Sequence, residues 1–147
     1  MSDVHLIPQG PLVELRLDNP AKMNALDVGM LQTLDAHLDA IEHEPSLRCV
    51  LLTAEGDRAF CTGADINGWG DLSPAEFARH WVRDGHRIFD RLARLSKPTL
   101  AVLNGHAFGG GLELAAACDL RVWRPAPASP SPRLASGSYP AGPARSG

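Results

Sequence analysis

Thr99-Leu100-Ala101-Val102-Leu103-Asn104-Gly105-His106-Ala107-Phe108-Gly109-Gly110-Gly111-Leu112-Glu113-Leu114 passes from a short apolar run, through a glycine-rich turn, into a segment of helical spacing. A carboxylate stands just inside that segment's first turn. Read as strand, loop and helix, the stretch is one part of a parallel crossover. Upstream, Ala59-Phe60-Cys61-Thr62-Gly63-Ala64-Asp65-Ile66 follows another strand-like run, Cys49–Thr53. Small residues at both places let a ligand approach backbone N–H groups, which predicts a site that grips an oxygen by main-chain donors.

The flanking chain has the same character. Val4–Ile7 and Leu12–Leu17 read as a hairpin around Pro8-Gln9-Gly10-Pro11, with Val13, Leu15 and Leu17 alternating against Glu14, Arg16 and Asp18. Asn19-Pro20 breaks the second strand. Asp27 is placed to cap a helix with the apolar stripe Val28, Leu31, Leu34, Leu38 and Ile41, ending near Pro45. Ser73-Pro74-Ala75-Glu76 is a capping box with proline at the first helical position. It predicts one helix carrying Phe77, Trp81, Ile88, Phe89, Leu92 and Leu95 inward, closed by Lys97-Pro98. Gly110–Cys118 is the next helix and Leu120–Trp123 a further strand. The order is α/β, with crossovers long enough for parallel pairing.

At 147 residues the chain is one domain's worth, but residues 125–147 are almost wholly Pro, Ala, Ser, Gly and Arg, with only Leu134 and Tyr139 offering bulk. The division expected is a partial domain over 1–124 and a disordered tail over 125–147. A net charge of −3 argues against nucleic acid or an anionic membrane as main partner. No apolar run approaches the roughly 20 residues of a spanning helix, and the N-terminus lacks the pattern of a signal peptide. Cys49, Cys61 and Cys118 form no Cys-x-x-Cys pair and read as reduced thiols, small buried hydrophobes in a cytoplasmic protein. No metal-ligand pattern is present. His37, His43, His80 and His86 read as solvated helix faces, His106 as a loop residue, and Trp69 and Trp81 as core or pocket wall.

In Asn19-Pro20-Ala21-Lys22-Met23-Asn24-Ala25-Leu26-Asp27, Phe60–Ile66, Lys97–Ala115 and Cys118-Asp119-Leu120-Arg121-Val122, the chain resembles the enoyl-CoA hydratase/isomerase (crotonase) family. The resemblance implies a spiral of strand-strand-helix turns, here truncated, and assembly into trimers or hexamers through C-terminal helices. It implies that Ala64 and Gly110 supply the two N–H groups that hold a thioester oxygen. Met23, Asn24, Ala25, Leu26, Asp65 and Ile66 would line the CoA groove, and Glu113 would be one of two catalytic carboxylates. No separate cofactor is implied, since coenzyme A is part of the substrate.

The chemistry fits those residue types. Hydrating a 2-enoyl thioester builds negative charge on the carbonyl oxygen, and fixed donors aimed there are worth roughly 3–4 kcal/mol each in comparable sites. A helix starting at Gly110 adds its positive end. Water must lose a proton as it attacks C3 and C2 must gain one, which suits a positioned carboxylate. Glu113 could instead merely complement its helix terminus. With the flanking motifs, catalysis is the reading carried forward, and an acid at 113 favours a hydratase over a double-bond isomerase of the same family. Asp65 reads as a loop-fixing residue rather than an acid.

The resemblance stops at the tail. The family's second catalytic glutamate falls near position 133, where this chain has Arg133. Shifting the reading by one base lets synonymous codons for Ala128–Ala135 spell Phe-Ala-Phe-Pro-Glu-Val-Gly. Those for Tyr139–Gly147 permit Pro-Gly-Gly-Ala-Gly-Thr-Gln-Arg in the same way. The shifted glutamate falls at the Pro132/Arg133 junction. The expectation is a frameshifted product of a G+C-rich gene of this family, with weak or no hydratase activity, uncovered apolar faces, unpaired parallel edges and poor solubility. The alternatives are a natural low-complexity linker, with Pro127-Ala128-Ser129-Pro130 as a polyproline-II ligand, and a non-catalytic binder of acyl-CoA.

Overall fold

The computed structural model describes residues 1–65 and 67–125. β1 (Asp3–Gln9) and β2 (Leu12–Asp18) form an antiparallel hairpin in which Gln9 faces Leu12. The connection is therefore the two residues Gly10-Pro11. Pro8 lies in the edge strand, where its missing N–H is harmless. β3 (Cys49–Ala54), β5 (Thr99–Leu103) and β7 (Leu120–Trp123) extend the sheet in parallel, giving the order β1-β2-β3-β5-β7. β4 (Ala59–Cys61) and β6 (His106–Ala107) form a second, two-stranded parallel sheet that the sequence reading did not contain.

α1 (Val28–Glu42) starts where expected, with the Asp27 carboxylate accepting from the Met30 amide at 2.8 Å. Its Met30, Leu31, Leu34, Leu38 and Ile41 enter the core against Val13, Leu15, Leu17, Val50 and Leu52. The capping box at Ser73 is also formed: Ser73 Oγ accepts from the Glu76 amide and the Glu76 carboxylate from the Ser73 amide, each at 3.1 Å.

The single helix expected beyond that box is not regular. α2 (Pro74–Ala78) passes into a π-helical segment, Arg79–Gly85, before α3 (His86–Ala93) resumes the usual winding. Ile88, Phe89 and Leu92 are buried, while Phe77, Trp81 and Leu95 only flank the core. α4 spans Gly110–Ala116, two residues short of the expectation. β7 is an edge strand with all four residues exposed, Leu120, Val122 and Trp123 among them. This is the uncovered apolar edge that the sequence led us to expect. The 125–147 tail lies outside the described residues from 126 onward.

Candidate active site

The two glycine segments meet because β4 and β6 lie side by side and point the same way. Cys61 O accepts the Phe108 amide at 3.0 Å, so the loops leaving both strands emerge together. Gly63 adopts φ +101, a conformation that L side chains rarely take, and a Cβ built on it would lie 3.4 Å from Gly110 N. The Gly63-Ala64 backbone therefore sits against the start of α4. Neither the Ala64 nor the Gly110 amide has a hydrogen-bond acceptor among the described residues. Two backbone donors are thus without a protein acceptor among the described residues.

The 64–65 loop is fixed from the other side by Met23–Leu26. Leu26 N donates to Gly63 O at 2.7 Å and Leu26 O accepts from Asp65 N at 2.8 Å, a one-rung parallel bridge. Leu26 O also accepts the Trp69 indole N–H at 3.1 Å. Met23 and Asn24 are left-handed, at φ 53 and 57. Met23 is half-buried and helps line a cavity of about 370 Å³, together with Pro20, Ala21 and residues 55–59.

Asn24, Ala25 and Leu26 are buried. Asn24 Oδ1 accepts from the Asn19 amide at 2.8 Å, and its Nδ2 donates to Glu55 O and Ala59 O at 2.9 and 2.8 Å. These three therefore have mainly backbone to offer a ligand. Asp65 is buried and its carboxylate meets Lys22 Nζ at 3.3 Å, as suits a loop-fixing residue. Ile66 lies outside the described residues.

Trp69, Phe77, Trp81 and Phe89 form a ladder of edge-to-face rings with centroids 5.4–6.1 Å apart. Trp81, in the π-helical segment, closes on the glycines: a Cβ on Gly110 would come within 2.5 Å of its ring. Gly111 is equally confined, since a Cβ there would lie 2.0 Å from Cys61 O. α4 thus rests directly on the end of β4.

Glu113, one turn into α4, is half-exposed, and its Oε2 lies 3.8 Å from His86 Nε2 on α3. His86 lies on an exposed helix face, as the sequence suggested, and this approach to Glu113 is the feature the sequence did not show. Only its place opposite Glu113 in three dimensions could have revealed it, and 27 residues separate the two in sequence. The reading of His37 as a solvated face is corrected: its Nε2 meets Val4 O of β1 at 2.8 Å. His106 stacks on Phe108 at 5.3 Å, away from any carboxylate contact among the described residues.

Burial pushes the Cys61 and Cys118 thiols up to about 11. Thiols so protonated are packing groups rather than nucleophiles. Among the described residues no group of His, Cys, Asp and Glu could hold a metal ion, and no helix is long and apolar enough to cross a membrane.

Comparison with known proteins gives the family. The family described as enoyl-CoA hydratase/isomerase matches residues 9–145. A short-chain-enoyl-CoA hydratase of Clostridium acetobutylicum is 33% identical over 122 residues, 83% of this chain and 46% of that protein. A crotonyl-CoA hydratase of Syntrophomonas wolfei is 36% identical over 111 residues, 76% of this chain and 42% of the relative. The crystal structure of an enoyl-CoA hydratase from Bacillus anthracis superposes with a TM-score of 0.77 at 32% identity, covering 82% of this chain and 46% of that one. The chain thus spans about half the length of the relatives it matches.

Proposed function

We propose a function from the fact that this chain belongs to the enoyl-CoA hydratase/isomerase family: its site adds water to a 2-enoyl-CoA to give a 3-hydroxyacyl-CoA. The observation that carries the proposal is the pair of acceptor-free amides at Ala64 and Gly110, drawn together by β4 and β6, with a carboxylate one turn further along. The thioester carbonyl accepts both N–H groups, and negative charge arriving on its oxygen meets donors that need no reorganisation. Glu113 takes a proton from water as the O–C3 bond forms, and the C2–C3 electron pair moves toward the carbonyl. The same carboxyl then returns the proton to C2.

Met23 and the 24–26 backbone would border the CoA moiety beside Asp65. Arg133 stands where the family's second carboxylate is expected, which favours slow turnover, or a protein that binds acyl-CoA without converting it.

The test is titration of the 147-residue chain with crotonyl-CoA, followed by its hydration read as loss of the conjugated enoyl absorbance. Saturable binding with slow hydration, lowered about 100-fold or more in Glu113→Gln, is expected. Binding without hydration selects the binder. No saturable binding removes both readings.

A further inference from the structure

We infer that His86 is a positioning residue for Glu113, holding one carboxylate oxygen so that the other faces the substrate. The two side chains sit 3.8 Å apart, 55% and 53% exposed, on α3 and α4. At that distance the imidazole needs to move by less than 1 Å, about one rotamer adjustment, to donate Nε2–H to Oε2. Contacts of this kind are commonly long in an unliganded site and tighten when substrate excludes water.

A second observation points the same way. The helix carrying His86 is interrupted by the π-helical segment Arg79–Gly85, and such insertions cluster at functional sites because they rotate the residues that follow. Here the segment seats the Trp81 ring over Gly110, and the next residue, His86, is turned toward α4.

Three of the charged groups near His86 along the same helical stretch are engaged elsewhere. Asp84 meets His80 at 3.2 Å, Asp90 holds Arg94 at 2.9 Å, and Arg87 holds Asp35 at 2.9 Å. From the element packed opposite, Glu113 is the charged group within ion-pair distance. A free carboxylate samples several rotamers. A neighbouring donor removes that freedom and leaves one oxygen aimed.

The kinetic arm of the test rests on the hydratase reading above; the spectroscopic arm does not. Ring ¹⁵N shifts of His86 in the 147-residue chain should report the Nε2–H tautomer, and Glu113→Gln should change that tautomer balance. Identical ring shifts in the two proteins would overturn the inference. With crotonyl-CoA, His86→Ala should lower kcat about tenfold with KM nearly unchanged, as a group acting in the transition state requires. His86→Gln, whose amide N–H can reach the same oxygen, should recover most of the loss. Equal kcat in wild type and His86→Ala, or equal losses in the Ala and Gln variants, would also overturn it. A wild type that hydrates nothing yet shows the Glu113-dependent tautomer supports the contact and refutes the hydratase reading alone.

Discussion

Replacing Gly111 by alanine should separate the α4 seat from every other part of the site. A Cβ at this position would lie 2.0 Å from Cys61 O and 2.6 Å from its carbonyl carbon, where real Cβ atoms essentially never come within 3.0 Å. The obstacle is backbone in β4, so no side-chain rotation relieves it. α4 must retreat by about 1 Å at least, and overpacking of this kind costs about 1–3 kcal/mol. The upper end is expected because both partners are regular structure. The same retreat carries the Gly110 amide and Glu113 with it. A donor displaced by about 1 Å leaves hydrogen-bonding range, and misplacement on that scale costs up to about 100-fold.

Urea unfolding would give the first quantity, and crotonyl-CoA affinity and turnover the second. Leu112→Ala, one residue along and 59% exposed, is the control that should change neither. A Gly111→Ala protein with wild-type midpoint and affinity would refute the reasoning, and so would equal damage from the control.

Asn24→Ala removes a buried amide and leaves the Asn19 N–H and the Glu55 and Ala59 carbonyls short of partners, so a loss of about 2–3 kcal/mol in urea unfolding is expected. A loss under about 0.5 kcal/mol would show that water replaces the side chain. Glu14 is held below its ordinary value of 4.5 chiefly by its hydrogen bond from Arg16, against the opposing effect of burial, with Thr53 and Gln9 adding to the lowering. Asp35 is lowered by Arg87 first and Arg91 after it. Carboxyls lowered in the folded state contribute stability that is complete above their unfolded values and lost as pH falls through the folded ones. Unfolding midpoints should therefore drop below about pH 4.5, and less steeply in Glu14→Gln; parallel curves would remove Glu14 from the account. A disulfide reagent at neutral pH should label half-buried Cys49 before the buried Cys61 and Cys118, with peptide mapping as the readout. Prior labelling of Cys61 would contradict its burial.

Much of the architecture was legible from local chemistry. Asp27, Ser73 and Glu76 announce helix starts because capping is a short-range hydrogen bond, and the Val13–Leu17 alternation reflects one buried sheet face. β7 was also placed, at Leu120–Trp123.

What escaped is non-local. β4 and β6 have three and two residues, too few for any period to emerge, and only their mutual pairing makes them strands. The π-helical segment was invisible because its apolar residues fit an α-helical stripe equally well. Asn24 carries no sequence mark of burial, since its partners lie as far off as Ala59. The neighbourhood of His86 and Glu113 was not legible because it joins two helices 27 positions apart in the chain. Ala64 and Gly110 were picked out by motif, and the structure sets Gly63 so close to α4 that a Cβ built on it would lie 3.4 Å from Gly110 N.

The pairing of β4 with β6 makes the proposed site an all-or-none assembly. One step of slippage between parallel strands moves a loop by about 3.3 Å and inverts its side chains, far beyond what two converging donors tolerate. Five residues therefore act as a latch: the register Ala59 opposite His106 and Cys61 opposite Ala107, bulge included, is what sets the two proposed donors side by side.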